Sequence, residues 1–225
     1  MTAAAARIRV WDLPTRIFHG SLALLVVFSF TTGTIGGDWM AWHLKSGYAI
    51  LALLGFRIAW GLVGSETARF TRFLRGPRAA AAYARAMLAG RHPFFAGHNP
   101  LGGWMVAAML AVLAFQAGTG LFSDDEIATQ GPLAVKVSSE TVSRMSSLHS
   151  IGEWIVAALV VLHVVAIIVY RAAWDVRLAG SMVHGRRTAP AGTSEPMRRP
   201  AWLALLVAAA SAAAVYVLVE VVPMR

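Results

Sequence analysis

The sequence predicts an all-α integral membrane protein, a bundle of four helices with a fifth transmembrane helix added at the C-terminus. Two observations predict it. Of 225 residues, 57% are hydrophobic and 14% charged, and the mean hydropathy of +0.61 is too high for a soluble domain of this size. Five apolar runs, about 15–35, 41–63, 101–122, 148–170 and 201–222, each approach the roughly 20 residues that a spanning helix needs.

The first four runs are rich in Leu, Val, Ile and aromatic residues, and residues 1–187 are expected to form the core. Residues 188–200 lie within HGRRTAPAGTSEPMRRP, whose Pro, Gly, Ser and Arg content reads as a flexible linker. The alanine-rich run 201–222 then reads as an accessory helix. The first apolar run is too long for the core of a secretion signal and has no clear small-residue cleavage site, so it is expected to be retained.

Basic residues set the orientation. Arg7, Arg9 and Arg16 lie before or at the start of the first run, six arginines from Arg69 to Arg91 follow the second, and six from Arg171 to Arg199 follow the fourth. The other connections carry Asp38, Asp124, Asp125, Glu126 and Glu140, with only Lys136 and Arg144 nearby. The positive-inside rule then predicts a cytoplasmic N-terminus and a multi-pass protein of the bacterial inner membrane, in contact with lipid. The net charge of +9 follows from these loops and does not indicate nucleic acid. Cysteine is absent, which excludes disulfides, thiolate iron–sulfur sites and covalent haem attachment.

The second-to-third connection contains PRAAAAYARAML, residues 77–88, read as an amphipathic surface helix with Tyr83, Met87 and Leu88 turned inward. At its end, Asn99 is placed to cap the third spanning helix with Pro100 as the first helical residue.

Histidine inside an apolar span is costly and therefore a functional candidate. His149 and His163 lie fourteen residues apart in the fourth run, a rise of about 21 Å on nearly one face of a bundled helix. Depth along the alternating helices pairs His19 with His163 and His43 with His149. Each pair can supply both axial ligands of a b-type haem, whereas zinc or copper sites gather three or four ligands at one level. Gly20, Ser21, Gly47, Ser150 and Gly152 are small residues near these histidines, suited either to a porphyrin or to plain helix packing.

Arg57 repeats the fourteen-residue spacing after His43 and is expected at the depth of the inner pair, where its guanidinium can bind a haem propionate; snorkelling to the surface is the alternative. Arg16, near His19, has the same options and also reads as a topology anchor. Glu153 lies one turn beyond His149, where it can orient a ligand or make a simple polar contact. His92, His98 and His184 fall in basic connections and read as solvated, His98 being closest to a span.

The segments RVWDLPTRIFHGSLALLVVFSFTTG, WHLKSGY, FRIAWGLVGSETARF, GHNPLGG, LHSIGEW and LHVVAIIVY, over about residues 7–187, resemble the bacterial and Ni/Fe-hydrogenase-type cytochrome b561 family. The resemblance implies a four-helix core with two non-covalent haem b groups, bis-histidine ligation by His19, His43, His149 and His163, and electron exchange between the quinone pool and a periplasmic hydrogenase or c-type cytochrome. It favours an electron-transfer subunit; the alternative is a stand-alone quinone-linked oxidoreductase such as a superoxide oxidase. A homodimer is compatible with the sequence. The fifth helix departs from the minimal pattern of the family.

Overall fold

Alternation of arginine with Ile8 and Val10 at the N-terminus suits a half-buried strand, and in the computed structural model, which describes residues 6–224, Ala6–Arg9 forms β1. Then come α1 (Leu13–Ile35), α2 (Met40–Val63), the single turn α3 (Phe70–Phe73), α4 (Pro77–Leu88) and α5 (Pro100–Gly120). After them follow α6 (Ser139–Trp174), α7 (Leu178–His184), β2 (Arg186–Ala189) and α8 (Ala201–Tyr216), which ends in a π turn over Val217–Val221. Five helical segments among the described residues are long and apolar enough to cross a membrane. The all-α membrane architecture expected from the sequence is present.

The chain divides into two compact units, each assembled from separate segments. One comprises Met1–Ile17, Ile58–Ala108 and Val161–Ala204; the other comprises Phe18–Arg57, Met109–Val160 and Leu205–Arg225.

In the first unit, β1 pairs antiparallel with β2, Arg9 opposite Arg186 and Arg7 opposite Thr188. Ile8, Val10, Trp11 and Ala189 form a small core with Phe94, Ala96 and Met182 packed against it. The chain turns into β2 through Gly185, whose φ of 73° ends α7 in the left-handed region. Its carbonyl accepts the N–H groups of Val10 and Trp11 at 2.8 and 3.2 Å. A Cβ there would stand 3.0 Å from the Trp11 carbonyl, so both conformation and space call for glycine. Asp12 caps α1 by accepting the Thr15 N–H at 2.8 Å, and its other oxygen accepts the indole N–H of the fully buried Trp60 at 3.0 Å. Asn99 caps α5 as expected, taking the Gly102 N–H at 2.8 Å.

Two readings change here. The segment after β2 is tied down: the Glu66 N–H donates to the Met197 carbonyl, the Met197 N–H to the Glu66 carboxylate, and the Arg199 N–H to Ser65 Oγ. Composition signalled mobility, but these bonds connect residues more than a hundred positions apart and leave no local trace in sequence. In α4, Tyr83 and Met87 are buried as expected while Leu88 is 87% exposed, because it falls outside the stripe that the other two define.

In the second unit, Ile50 and Leu54 of α2, Leu113 of α5 and Val156 of α6 form the core, with Leu22, Leu25 and Val26 of α1 around it. A further cluster joins Leu121 and Leu133 to Val219, with Tyr48, Leu51 and Leu218 against it. The end of the fifth helix is thus part of this core, and Gly55 of α2 allows close approach: a Cβ there would lie 3.4 Å from Ser211. The fourth span begins at Ser139, nine residues before its expected start, because the polar stretch SETVSRMSS is helical although hydropathy ignores it.

Candidate functional site

Two of the four histidines are brought together in the second unit. The rings of His43 on α2 and His149 on α6 have centroids 6.0 Å apart and planes at 89°. Each is fixed through Nδ1 by a different helix. His43 Nδ1 lies 2.9 Å from the Ser29 carbonyl of α1, and His149 Nδ1 lies 2.9 Å from the Gln116 carbonyl of α5. A carbonyl accepts only from N–H, so Nδ1 carries the proton in both rings and Nε2 is left with its lone pair, the form that binds a metal.

Hydroxyls accompany both anchors: Ser29 Oγ is 3.3 Å from His43 Nδ1, and Thr119 Oγ1 is 3.3 Å from His149 Nδ1. Glycine makes room for both rings. A Cβ at Gly33 would stand 2.8 Å from His43 Nδ1, and one at Gly120 would stand 2.8 Å from His149 Cε1. Sequence reasoning missed Ser29, Gly33, Gln116 and Gly120; the small residues TTG and AGTG were visible, but nothing in them named their histidines.

The separation of the two rings suits imidazoles that would hold one metal between them. Two bonds of about 2 Å from imidazole nitrogen to metal, plus the two ring radii, require ring centres roughly 6 Å apart. No group of three or more His, Cys, Asp or Glu residues suited to a metal occurs among the described residues. Of the small residues singled out in sequence, a Cβ at Gly47, one turn from His43, or at Gly20, beside His19, meets no protein atom within 4 Å. Gly152 differs, since a Cβ there would collide with the Gln116 side chain; it serves the contact of α6 with α5.

The remaining candidates are placed as follows. His19 is half-buried on α1 in the second unit, and His163 is half-buried on α6 in the first. Arg57, in the second unit, is 2% exposed, so its side chain does not reach out to a surface. Arg16, in the first unit, turns its guanidinium to the Met182 and Val183 carbonyls at the end of α7. Glu153 is half-buried on the His149 side of α6. His98 is not solvated: its ring packs between Trp11 and Phe73, each centroid 4.7 Å away.

The family model of prokaryotic cytochrome b561 matches residues 10–185. The chain belongs to this family. It is a membrane cytochrome of b type that binds haem b and takes part in electron transport, and its five apolar helices make it a multi-pass protein. The match ends before the linker and α8, as the resemblance in sequence does. No curated protein and no solved structure matches the chain.

Also in the first unit, Asn99 donates to the Tyr170 hydroxyl at 3.1 Å, which donates to Tyr83 at 3.3 Å. Burial, with this hydrogen bond, pushes the Tyr83 phenol well above its usual range. Arg187, on the buried face of β2, donates to the Phe95 carbonyl at 3.1 Å, and burial lowers its guanidinium from the ordinary value.

Proposed function

We propose that this cytochrome transfers electrons between the quinone pool and a periplasmic redox partner through two haem b groups, one held by His43 and His149 and the other by His19 and His163. The observation that carries the reading is the first pair: two rings at metal-spanning separation, each with Nδ1 bonded to a carbonyl and Nε2 left to ligate. The second pair rests on equal depth in sequence. When bound, haem supplies an iron that accepts and returns one electron, and histidine on both sides leaves it no open position for oxygen chemistry.

The protein's own part is to fix the imidazoles, keep water away with the Ile50, Leu54, Leu113 and Val156 core, and place charge near the cofactor. Arg57 is read as the partner of a propionate. Quinone is the membrane-soluble electron carrier and a periplasmic hydrogenase or c-type cytochrome the protein partner, with the N-terminus cytoplasmic by the positive-inside rule. Residues 1–187 carry the electron path and 201–222 form an accessory helix.

Haem stoichiometry tests the proposal. Purified protein is expected to show a Soret band and two haems per chain, falling to one on His149→Ala or on His163→Ala. Retention of both haems in either variant would refute the pairing. Quinone reduction by superoxide without any added protein, at near-diffusional rates, would instead assign the chain as a stand-alone oxidoreductase.

A further inference from the structure

The first unit contains a cavity of about 900 Å³ that the electron-transfer reading does not use, lined by Arg7, Arg9, Arg16, Arg186, Arg198 and Arg199. Strand register explains part of this concentration. Alternate residues share a face, so Arg7 and Arg9 point to the side opposite the buried Ile8, and Arg186 lies directly across from Arg9 on that same side. Like charges directly opposed across strands are destabilising unless something negative lies between them.

Local carboxylates do little to neutralise this charge. Asp12 is the one acid in the lining, and its oxygens are taken by the Thr15 N–H and the Trp60 indole. Glu195 accepts the backbone N–H of Arg9. The ion pairs among the described residues are Arg72–Glu66, Arg144–Glu140 and Arg171–Asp175, none of which involves an arginine of the cavity. Arg16 is oriented by carbonyl oxygens, which hold a guanidinium without cancelling its charge.

The rim indicates which anion fits. Leu13 and Pro14 open α1, and Pro200 and Ala201 open α8, so the cavity lies at the start of two membrane helices, where N–H groups and helix dipoles also favour negative charge. Beside it, Leu13, Ile17 and Trp202 are 57, 58 and 61% exposed. Cationic basin and apolar rim together describe the two ends of an amphiphile.

We propose that this cavity binds the phosphate headgroup of an anionic glycerophospholipid, whose acyl chains lie along the exposed starts of α1 and α8. Anchoring by lipid at this point would hold β1, β2 and the linker to the membrane surface, a role separate from haem binding.

Native mass spectrometry of the purified haem-loaded protein, titrated with phosphatidylglycerol or with phosphatidylcholine of the same chains, tests the proposal. Phosphatidylglycerol adducts are expected in preference to phosphatidylcholine, weakened roughly tenfold in Arg198→Ala/Arg199→Ala and in Arg7→Ala/Arg9→Ala. The charge-matched control Arg78→Ala/Arg85→Ala on α4 is expected to bind as the parent does. Haem absorbance and helical circular dichroism verify folding, and Arg186→Gln serves if the double variants do not fold. Unchanged adducts in the basin variants, or equal loss in the control, would overturn the proposal. So would inorganic phosphate alone displacing the lipid at millimolar concentration, which would mark a site for free anions.

Discussion

The imidazoles of His43 and His149 stand with ring centroids 6.0 Å apart, and each is anchored to the carbonyl of a residue four positions before a glycine: Ser29 before Gly33, Gln116 before Gly120. Four residues are about one helical turn, so carbonyl and glycine sit on the same stripe of α1 and of α5. The carbonyl orients the ring, and the missing Cβ lets the ring lie against the helix. Two unrelated helices thus solve one packing problem in the same way.

Alanine at either glycine is therefore expected to act through the ligand without removing it. The added Cβ, 2.8 Å from the ring in both cases, has to push the imidazole or the helix aside, at a cost of about 1–3 kcal/mol. Gly33→Ala and Gly120→Ala are each expected to lower the occupancy of one haem or shift its midpoint potential, and to spare the other haem. Potentiometric titration checks this. Parental potentials at full occupancy in both variants would deny the cradles a role.

Asp12 joins the start of α1 to Trp60 of α2 within the first unit. Replacing it by alanine removes a helix cap and leaves a fully buried indole N–H without its acceptor. The expected loss is about 2–3 kcal/mol. Asparagine keeps the capping oxygen and is expected to lose less. Thermal melting in detergent, followed by circular dichroism, ranks the three proteins, and equal melting of parent and alanine variant would remove the proposed connection.

How much of this was legible in sequence depended on whether the signal was local. The existence of five spans, the α4 boundaries and the Asn99 cap were legible because hydropathy, the Pro at position 77 and the Asn-Pro pair act over a few residues, whereas the polar start of the fourth span escaped hydropathy. The four histidines stood out because each is expensive in an apolar run. The Ser29 and Gln116 anchors, and the strand pair that joins residues 6–9 to 186–189, were invisible: each requires knowing which distant segments meet. Asp12 lay in between, since Asp-Leu-Pro before an apolar run is a helix-start signal, but its bond to Trp60 is tertiary.

The loop between α5 and α6 offers a pH test. Asp125 accepts the N–H groups of Thr129, Ile127 and Ala128 at 2.8–2.9 Å, and these bonds, that from Thr129 first, hold its carboxyl down at about 2, below the ordinary 3.8. A carboxyl that titrates lower when folded stabilises the loop fully above the unfolded value and loses that contribution as pH falls through about 2. The group lies in a surface loop and bonds only to its near neighbours in sequence, so the effect is local. Protection of the amides of residues 127–129, measured as exchange relative to the unstructured chain at the same pH, is expected to be high at pH 4–7, lower near pH 2, and low throughout in Asp125→Ala. Protection in that variant equal to the parent's would assign the order of the loop to other contacts.

Arg57 gives the last test and the one closest to the electron path. A guanidinium that is 2% exposed within a spanning helix has been taken out of water at a cost of several kcal/mol, and such a charge persists when an anion or a dense set of acceptors meets it. In a protein that binds haem b, a propionate is the carboxylate best suited to a bidentate guanidinium. Adding an electron to the iron makes the site more negative, so a fixed cation nearby favours the reduced form. Arg57→Leu is then expected to lower the midpoint potential of one haem by an amount on the order of 1 kcal/mol per electron, or to reduce its occupancy. Arg57→Lys keeps the charge but loses the fork, so it should retain most of the potential while binding haem less well. The comparison separates charge from shape. Equal potentials and full occupancy in the leucine variant would show that Arg57 answers to the protein alone.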